Sequence, residues 1–116
     1  MAVSLTQFRA LALALPDVEE RRCHGTPAFY VRNKLLGRLQ DDAEHFAIAC
    51  PKAEREALTE RHPEVFSVTD HFANYDYVLM NLTASNASLA RRHLETAWRL
   101  KASKRAIDLF DAAHQA

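Results

Sequence analysis

A chain of 116 residues, 48% of them apolar and 26% charged, has the composition of one globular domain with room for a single core. Its 15 basic and 15 acidic side chains cancel to a formal net charge of zero, so the molecule as a whole presents no strong field to polyanions. Two glycines exclude a glycine-rich phosphate loop, and no run reaches the roughly 20 apolar residues that span a bilayer. Residues 1–116 read as one soluble domain without linker or repeat.

Ser4-Leu5-Thr6-Gln7 reads as a capping box, and Leu5, Phe8, Ala12 and Leu15 then recur at helical spacing until Pro16. The apolar run Leu11 to Leu15 is short and follows no basic n-region, Arg9 being the one basic residue ahead of it, so it does not read as a signal peptide. The period then changes. Val18 to His24 predicts a charged edge strand, and Ala28 to Arg32 alternates with Phe29 and Val31 on one face. Leu35, Gly37 and Leu39 alternate likewise, which places Leu36, Arg38 and Gln40 on the outer side. Between these strands Arg32-Asn33-Lys34 predicts a tight turn, because Asn tolerates the left-handed conformation a hairpin needs. Asp41-Asp42-Ala43-Glu44 is a second polar turn, leading into alternating Phe46, Ile48 and Cys50.

Pro51 suits the start of a helix from Lys52 to Arg61 with Ala53, Ala57 and Leu58 inward, and Pro63 ends it. Val65 to Thr69 and Tyr77 to Thr83 predict strands, the second with Val78, Met80 and Leu82 inward. The polar stretch Asp70 to Asp76 joins them as a loop. After Ser85 a longer helix runs to about Ala102 on the stripe Leu89, Ala90, Leu94, Ala97 and Trp98. Ser103 then caps a last helix carrying Ala106, Ile107, Phe110 and Ala113. Consecutive strands followed by helices predict an α+β domain, an antiparallel β-sheet meander with helices packed on one face.

Charge is distributed unevenly. Arg32, Lys34 and Arg38 make a basic hairpin tip able to reach a phosphate backbone, although a solvated hairpin also uses such charges to discourage edge pairing. Arg99, Lys101, Lys104 and Arg105 form a second basic cluster, of which helix-dipole complementation accounts for Arg99 and Lys101 without any ligand. Glu95 lies four residues from both Arg91 and Arg99 and engages one of them. Trp98 shares a face with Leu94 and Ala97, which assigns it to the core.

Turn chemistry accounts for every residue of Gly25-Thr26-Pro27 but not for His24, and in the alternative reading His24 and Thr26 offer hydrogen bonds to a ligand. His71 and Tyr75 in the polar loop are a second pair of ligand candidates, and His71 with Asp70 or Asp76 is the one dispersed His–carboxylate arrangement. Cys23, His24, His45 and Cys50 lack the short paired spacing of structural zinc, so no metal site is assigned. No nucleophile elbow and no zinc-protease helix occurs, so no catalytic residue, no cofactor and no enzymatic activity are expected.

Leu15-Pro16, the stretch from His24 through Gly25, Thr26, Pro27 and Ala28 to Phe29, and Lys34 after the turn follow one another in a characteristic order. Leu94 to Arg99, with Ala97-Trp98 inside it, and Ala102-Ser103-Lys104-Arg105 complete that order. In these residues the chain resembles the MmcQ/YjbR-like family of small bacterial proteins, from about Leu5 to Arg105. The resemblance implies a compact α+β fold related in shape to the frataxin-like fold, and DNA binding through a double-wing motif. The expectation is therefore a cytoplasmic, membrane-free and monomeric protein that binds DNA weakly and without sequence preference. The alternative is a small-molecule or protein-interaction domain with a pocket formed by the sheet and the 70–76 loop.

Overall fold

Among the described residues six strands form one antiparallel sheet in the order β1-β2-β3-β4-β6-β5. They are β1 (Val18–Cys23), β2 (Thr26–Val31), β3 (Lys34–Leu39), β4 (His45–Ala49), β5 (Phe66–Ser67) and β6 (Tyr77–Asn81). Among the same residues four α-helices accompany them: α1 (Leu5–Leu13), α2 (Lys52–Arg61), α3 (Ala87–Lys101) and α4 (Lys104–Ala113). The structure, a computed structural model, describes residues 2–23 and 25–114, with the side chain of His71 outside that description. The expected α+β class and meander are present, and the charged strand β1 lies at the sheet edge.

Local signals set most boundaries. Ser4 Oγ accepts the Gln7 N–H at 3.1 Å while Gln7 Oε1 accepts the Ser4 N–H at 2.9 Å, closing the capping box of α1. The helix ends at Leu13 rather than at Pro16. Pro16 has no N–H for another helical bond and disfavours helical backbone at Leu15. Asp17, at φ 62°, then turns the chain into β1. At the second turn Ala43 takes φ 58°, and the Asp42 carboxylate accepts the N–H groups of Glu44 and His45, each at 2.9 Å. Asn86 and Ser103 cap α3 and α4 through bonds from Leu89 N–H at 2.9 Å and Ala106 N–H at 3.1 Å.

Strand β3 corrects the strict alternation expected from sequence. Phe29 pairs with Gly37 but Tyr30 pairs with Leu35, so Leu36 is an extra residue on β3. The bulge turns Leu36 into the core, where it is fully buried, and leaves Leu35 half-buried outside it. Gly37 is required for packing rather than for turning. A Cβ there would overlap the Phe46 ring and lie 2.6 Å from the Ala47 carbonyl oxygen. Helix α2 also departs from expectation, because Ala53 and Ala57 are exposed and only Leu58 packs against the core. The strand expected over Val65 to Thr69 pairs only at Phe66–Ser67.

Helices α1 and α3 lie against the same face of the sheet. Phe8 of α1 meets Phe46 at 4.4 Å and Phe29 at 6.2 Å between ring centroids, and the two sheet rings stack at 5.8 Å. Phe8, Phe29, Phe46, Ile48, Met80, Leu94 and Trp98 all occupy the core as expected, joined by Phe66. Trp98 is wholly buried, its indole N–H donates to the Pro16 carbonyl at 2.8 Å, and its ring contacts Phe110 of α4 at 5.0 Å.

Two measurements test this packing. Trp98→Ala should lower the unfolding free energy by about 3–5 kcal/mol in urea denaturation, a large fraction of a small domain's stability. Asp42 gives a pH signature, because the His45 and Glu44 backbone N–H groups hold its carboxylate down from 3.8 to about 2. A depressed folded value means that the stabilisation is complete above about pH 4 and disappears as pH falls towards 2. The wild type should therefore exceed Asp42→Asn at pH 6, by less than about 1 kcal/mol given its solvent exposure. That difference should shrink on acidification through this window.

Candidate nucleic-acid interface

The β2–β3 hairpin closes through Arg32 at φ 55° and Asn33 at φ 63°, the left-handed pair that a two-residue hairpin turn demands. Lys34 is the first residue of β3 rather than part of the bend. The tip is steadied from the neighbouring edge strand. Arg21 of β1 donates to Asn33 Oδ1 at 2.7 Å, and its guanidinium sits 4.9 Å from the Tyr30 ring centroid. The edge-strand position of β1, opposite β2, was the available signal. Arg32 and Lys34 are exposed, and neither has a carboxylate partner among the described residues. Arg38 differs from them. It donates to the Cys23 carbonyl at 3.0 Å and to Asp41 at 3.1 Å, with a side chain only 17% exposed, so it ties strands together.

The second basic cluster divides in the same way. Arg99 bonds both carboxylate oxygens of Asp111, at 2.5 and 3.2 Å, and reaches Glu95 at 3.4 Å. Its guanidinium also lies 5.6 Å from the Phe110 ring centroid, so it is a strut holding α4 to α3. Glu95 thus engages Arg99 rather than Arg91. Lys101 is half-buried, its ammonium 5.7 Å from the Tyr77 ring centroid. Lys104 pairs with Asp108 at 2.8 Å fully on the surface, and Arg105 is exposed with no acidic partner among the described residues. Both stand in the first turn of α4, where positive charge opposes the helix dipole and costs about 0.3–1 kcal/mol each.

One side chain links the two clusters. The Tyr77 hydroxyl, from β6, crosses β4 to donate to the Leu35 carbonyl at 2.7 Å, while its ring carries Lys101. Leu35 follows Lys34 directly. The hairpin strand and the C-terminal end of α3 therefore meet at one end of the sheet, and Arg32, Lys34, Lys101 and Arg105 have no carboxylate partner among the described residues.

The ligand candidates do not converge in this way. Thr26 Oγ1 donates to the Cys23 carbonyl at 3.1 Å and so closes a turn, while His24 lies outside the described residues. Tyr75 is exposed in the 70–76 loop, and the His71 side chain is not described. That loop contains a single helical turn, Asp70–Phe72, and is fixed by Arg55 of α2. The Arg55 guanidinium donates to the carbonyls of Phe72, Ala73, Tyr75 and Tyr77 at 2.7–3.0 Å. The sequence offered no signal for this latch, because nothing in a helical charge pattern shows which arginine meets a distant backbone. A shallow depression of about 340 Å³ adjoins it between α2 and Val68. A larger cleft of about 470 Å³ lies elsewhere, between α1, α3 and α4.

Among the described residues, Cys23, His45 and Cys50 are not brought together as a metal-ligating group. His45 and Cys50 stand at opposite ends of β4. Burial, the largest cause, pushes the Cys50 thiol up to about 11, which keeps it a neutral and poor metal ligand. Asp42, Glu44 and His45 do lie close together, but Asp42 is already occupied by N–H groups and by the His45 ring at 2.7 Å.

The Arg55 latch is directly testable. Arg55→Ala leaves four carbonyls without their charged donor and should lower the unfolding free energy by about 1.5–3 kcal/mol. Amide exchange across residues 72–77 should accelerate more than exchange in β4. Unchanged protection in the loop would show that other contacts hold it.

The YjbR family model matches residues 13–100, which include all six strands and α3 as far as Leu100. No curated protein matches the sequence. The chain is similar in shape to a crystal structure of the Deinococcus radiodurans protein DR2400, described with the family-model domain DUF419. The TM-score is 0.71 at 18% identity, covering 84% of this chain and 77% of that one, so the likeness speaks for the fold alone. With the matched segment carrying the whole sheet and the helix that fills its core, the chain belongs to the YjbR family.

Proposed function

We propose that the protein contacts nucleic-acid phosphates weakly and without sequence preference, through the sheet end where the β2–β3 hairpin meets the α3–α4 junction. The observation that carries this reading is the Tyr77 bridge, which sets Lys101 beside the strand that begins with Lys34. The placement of Arg105 against the α4 dipole supports it, since neither the dipole nor an acidic partner among the described residues accounts for a cation there. The hairpin serves as one wing, with DNA the favoured partner and a monomer in the cytoplasm the favoured context. No helix among the described residues is long and apolar enough to cross a membrane. Base reading has little support, because α3 buries Ala90, Leu94, Ala97 and Trp98 and cannot lay that face in a groove. Of the seven cations assigned from sequence, Arg38 and Arg99 drop out as structural ties.

Three or four phosphate contacts give a log-affinity slope against log salt of about −3 to −4 on duplex DNA. The dissociation constant near physiological salt should then fall at roughly 10⁻⁴ to 10⁻⁶ M. Lys34→Glu and Arg105→Glu should each reduce that slope by about 1 and weaken binding equally on unrelated sequences. Fluorescence anisotropy with two unrelated duplexes, between low and physiological salt, reads both quantities. Absence of salt-sensitive affinity at low ionic strength would overturn the reading.

A further inference from the structure

The cleft between α1, α3 and α4 takes no part in the interface above. Its floor is apolar, made by Leu11 and Leu15 from the end of α1 and by Phe110 from α4. Its rim is cationic. Arg91 and Arg92 line it from α3, both exposed and neither paired with a carboxylate among the described residues. Glu95 also lines it, but its carboxylate is drawn to Arg99 at 3.4 Å, and Arg99 is in turn bound to Asp111. The linked groups Glu95, Arg99 and Asp111 carry one net negative charge against the two guanidiniums, leaving the rim with a single excess positive charge. His114 closes the α4 side. Its ring packs on Phe110 at 4.1 Å, and its Nδ1 donates to the Phe110 carbonyl at 2.8 Å, leaving Nε2 without a partner among the described residues.

An apolar floor with two forked donors at one edge has the make-up of a site for an amphiphilic anion, and 470 Å³ is within the range of small-molecule pockets. We propose that this cleft binds a small monocarboxylate with an aromatic or aliphatic body, its carboxylate held by Arg91 and Arg92 and its apolar part laid on Leu11, Leu15 and Phe110. The single excess charge favours a monoanion over a phosphate dianion, which Glu95 repels. The other wall, α4, has no fully buried residue and is attached through the partly buried Ala106, Ile107 and Phe110 and the Arg99–Asp111 pair. An occupant touching both helices adds contacts where the fold has few, so binding raises the protection of α4.

The test is an amide chemical-shift titration of the full chain with phenylacetate, set against neutral phenylacetamide and dianionic phenylphosphate. A ligand of this size binds at about millimolar strength. The shifts should cluster at residues 11–15, 88–95 and 110–114, and phenylacetate should bind about tenfold or more tightly than phenylacetamide. Arg91→Gln with Arg92→Gln should remove that advantage, whereas Lys34→Glu with Arg105→Glu should leave it intact. The wild-type comparison of acid with amide needs no variant and stands even if the double variant folds poorly. Equal binding of acid and amide, shifts centred on Lys34 and Lys101, tighter binding of phenylphosphate, or no shift at about 20 mM ligand would each overturn the proposal.

Discussion

Trp98 sits where three otherwise separate parts of the chain converge. Its indole N–H binds the Pro16 carbonyl, 82 residues away, its ring is sealed between α3 and the sheet, and its far edge receives Phe110. A buried indole left without an acceptor costs free energy, so the bond to Pro16 fixes how the α1–β1 turn lies against α3. That turn in turn sets where α1 delivers Phe8 to the rings of Phe29 and Phe46. The sheet, the two inner helices and the attachment of α4 are thus referred to one side chain. Both candidate sites inherit their shape from it, since each uses α3 as a wall.

The cations of this protein separate into those consumed by the fold and those left over. Arg38, Arg55 and Arg99 each satisfy several oxygens at once, which is the use to which a planar, five-donor guanidinium is best suited. Each replaces packing that a small domain cannot otherwise supply: strand to strand at Arg38, loop to helix at Arg55, helix to helix at Arg99. By contrast Arg32, Lys34, Lys101 and Arg105, and Arg91 and Arg92 over the cleft, have no such oxygens among the described residues. A neutral total charge is therefore compatible with two cationic surfaces, because Asp41, Glu95 and Asp111 are tied to structural arginines and Glu54, Glu56 and Glu60 lie on α2.

The β3 bulge and Gly37 shape the sheet between these surfaces. The extra residue lets Leu36 join the core while Leu35 keeps its carbonyl available to Tyr77. Gly37 admits the Phe46 ring against the strand, where any side chain would push the aromatic cluster away from Phe8. The same local irregularity thus closes the core on one side and supplies the acceptor that brings the two basic segments together.

Elements carried by short-range chemistry were legible in the amino-acid sequence. The Ser4–Gln7 capping box, the Asn33 turn, the Asp42 turn, the exact span of Lys52–Arg61 and the Ser103 cap depend on groups within a few residues of one another. The core stripe from Leu89 to Trp98 was equally clear, because its spacing is a property of one helix. The fate of each charge was not. Whether Arg99 meets Glu95 alone or also Asp111, whether Arg55 faces water or four loop carbonyls, and whether Lys34 lies near Lys101 depend on which distant segments the sheet order places side by side. The sequence determined the helices, most of the strands and the buried stripe of α3, since those signals are local, but not the buried face of β3 or α2, where a bulge and the distant packing override the period. Only the tertiary structure decided which cations are ties and which are free, because an ion pair or a long-range hydrogen bond is defined by distance in space rather than along the chain.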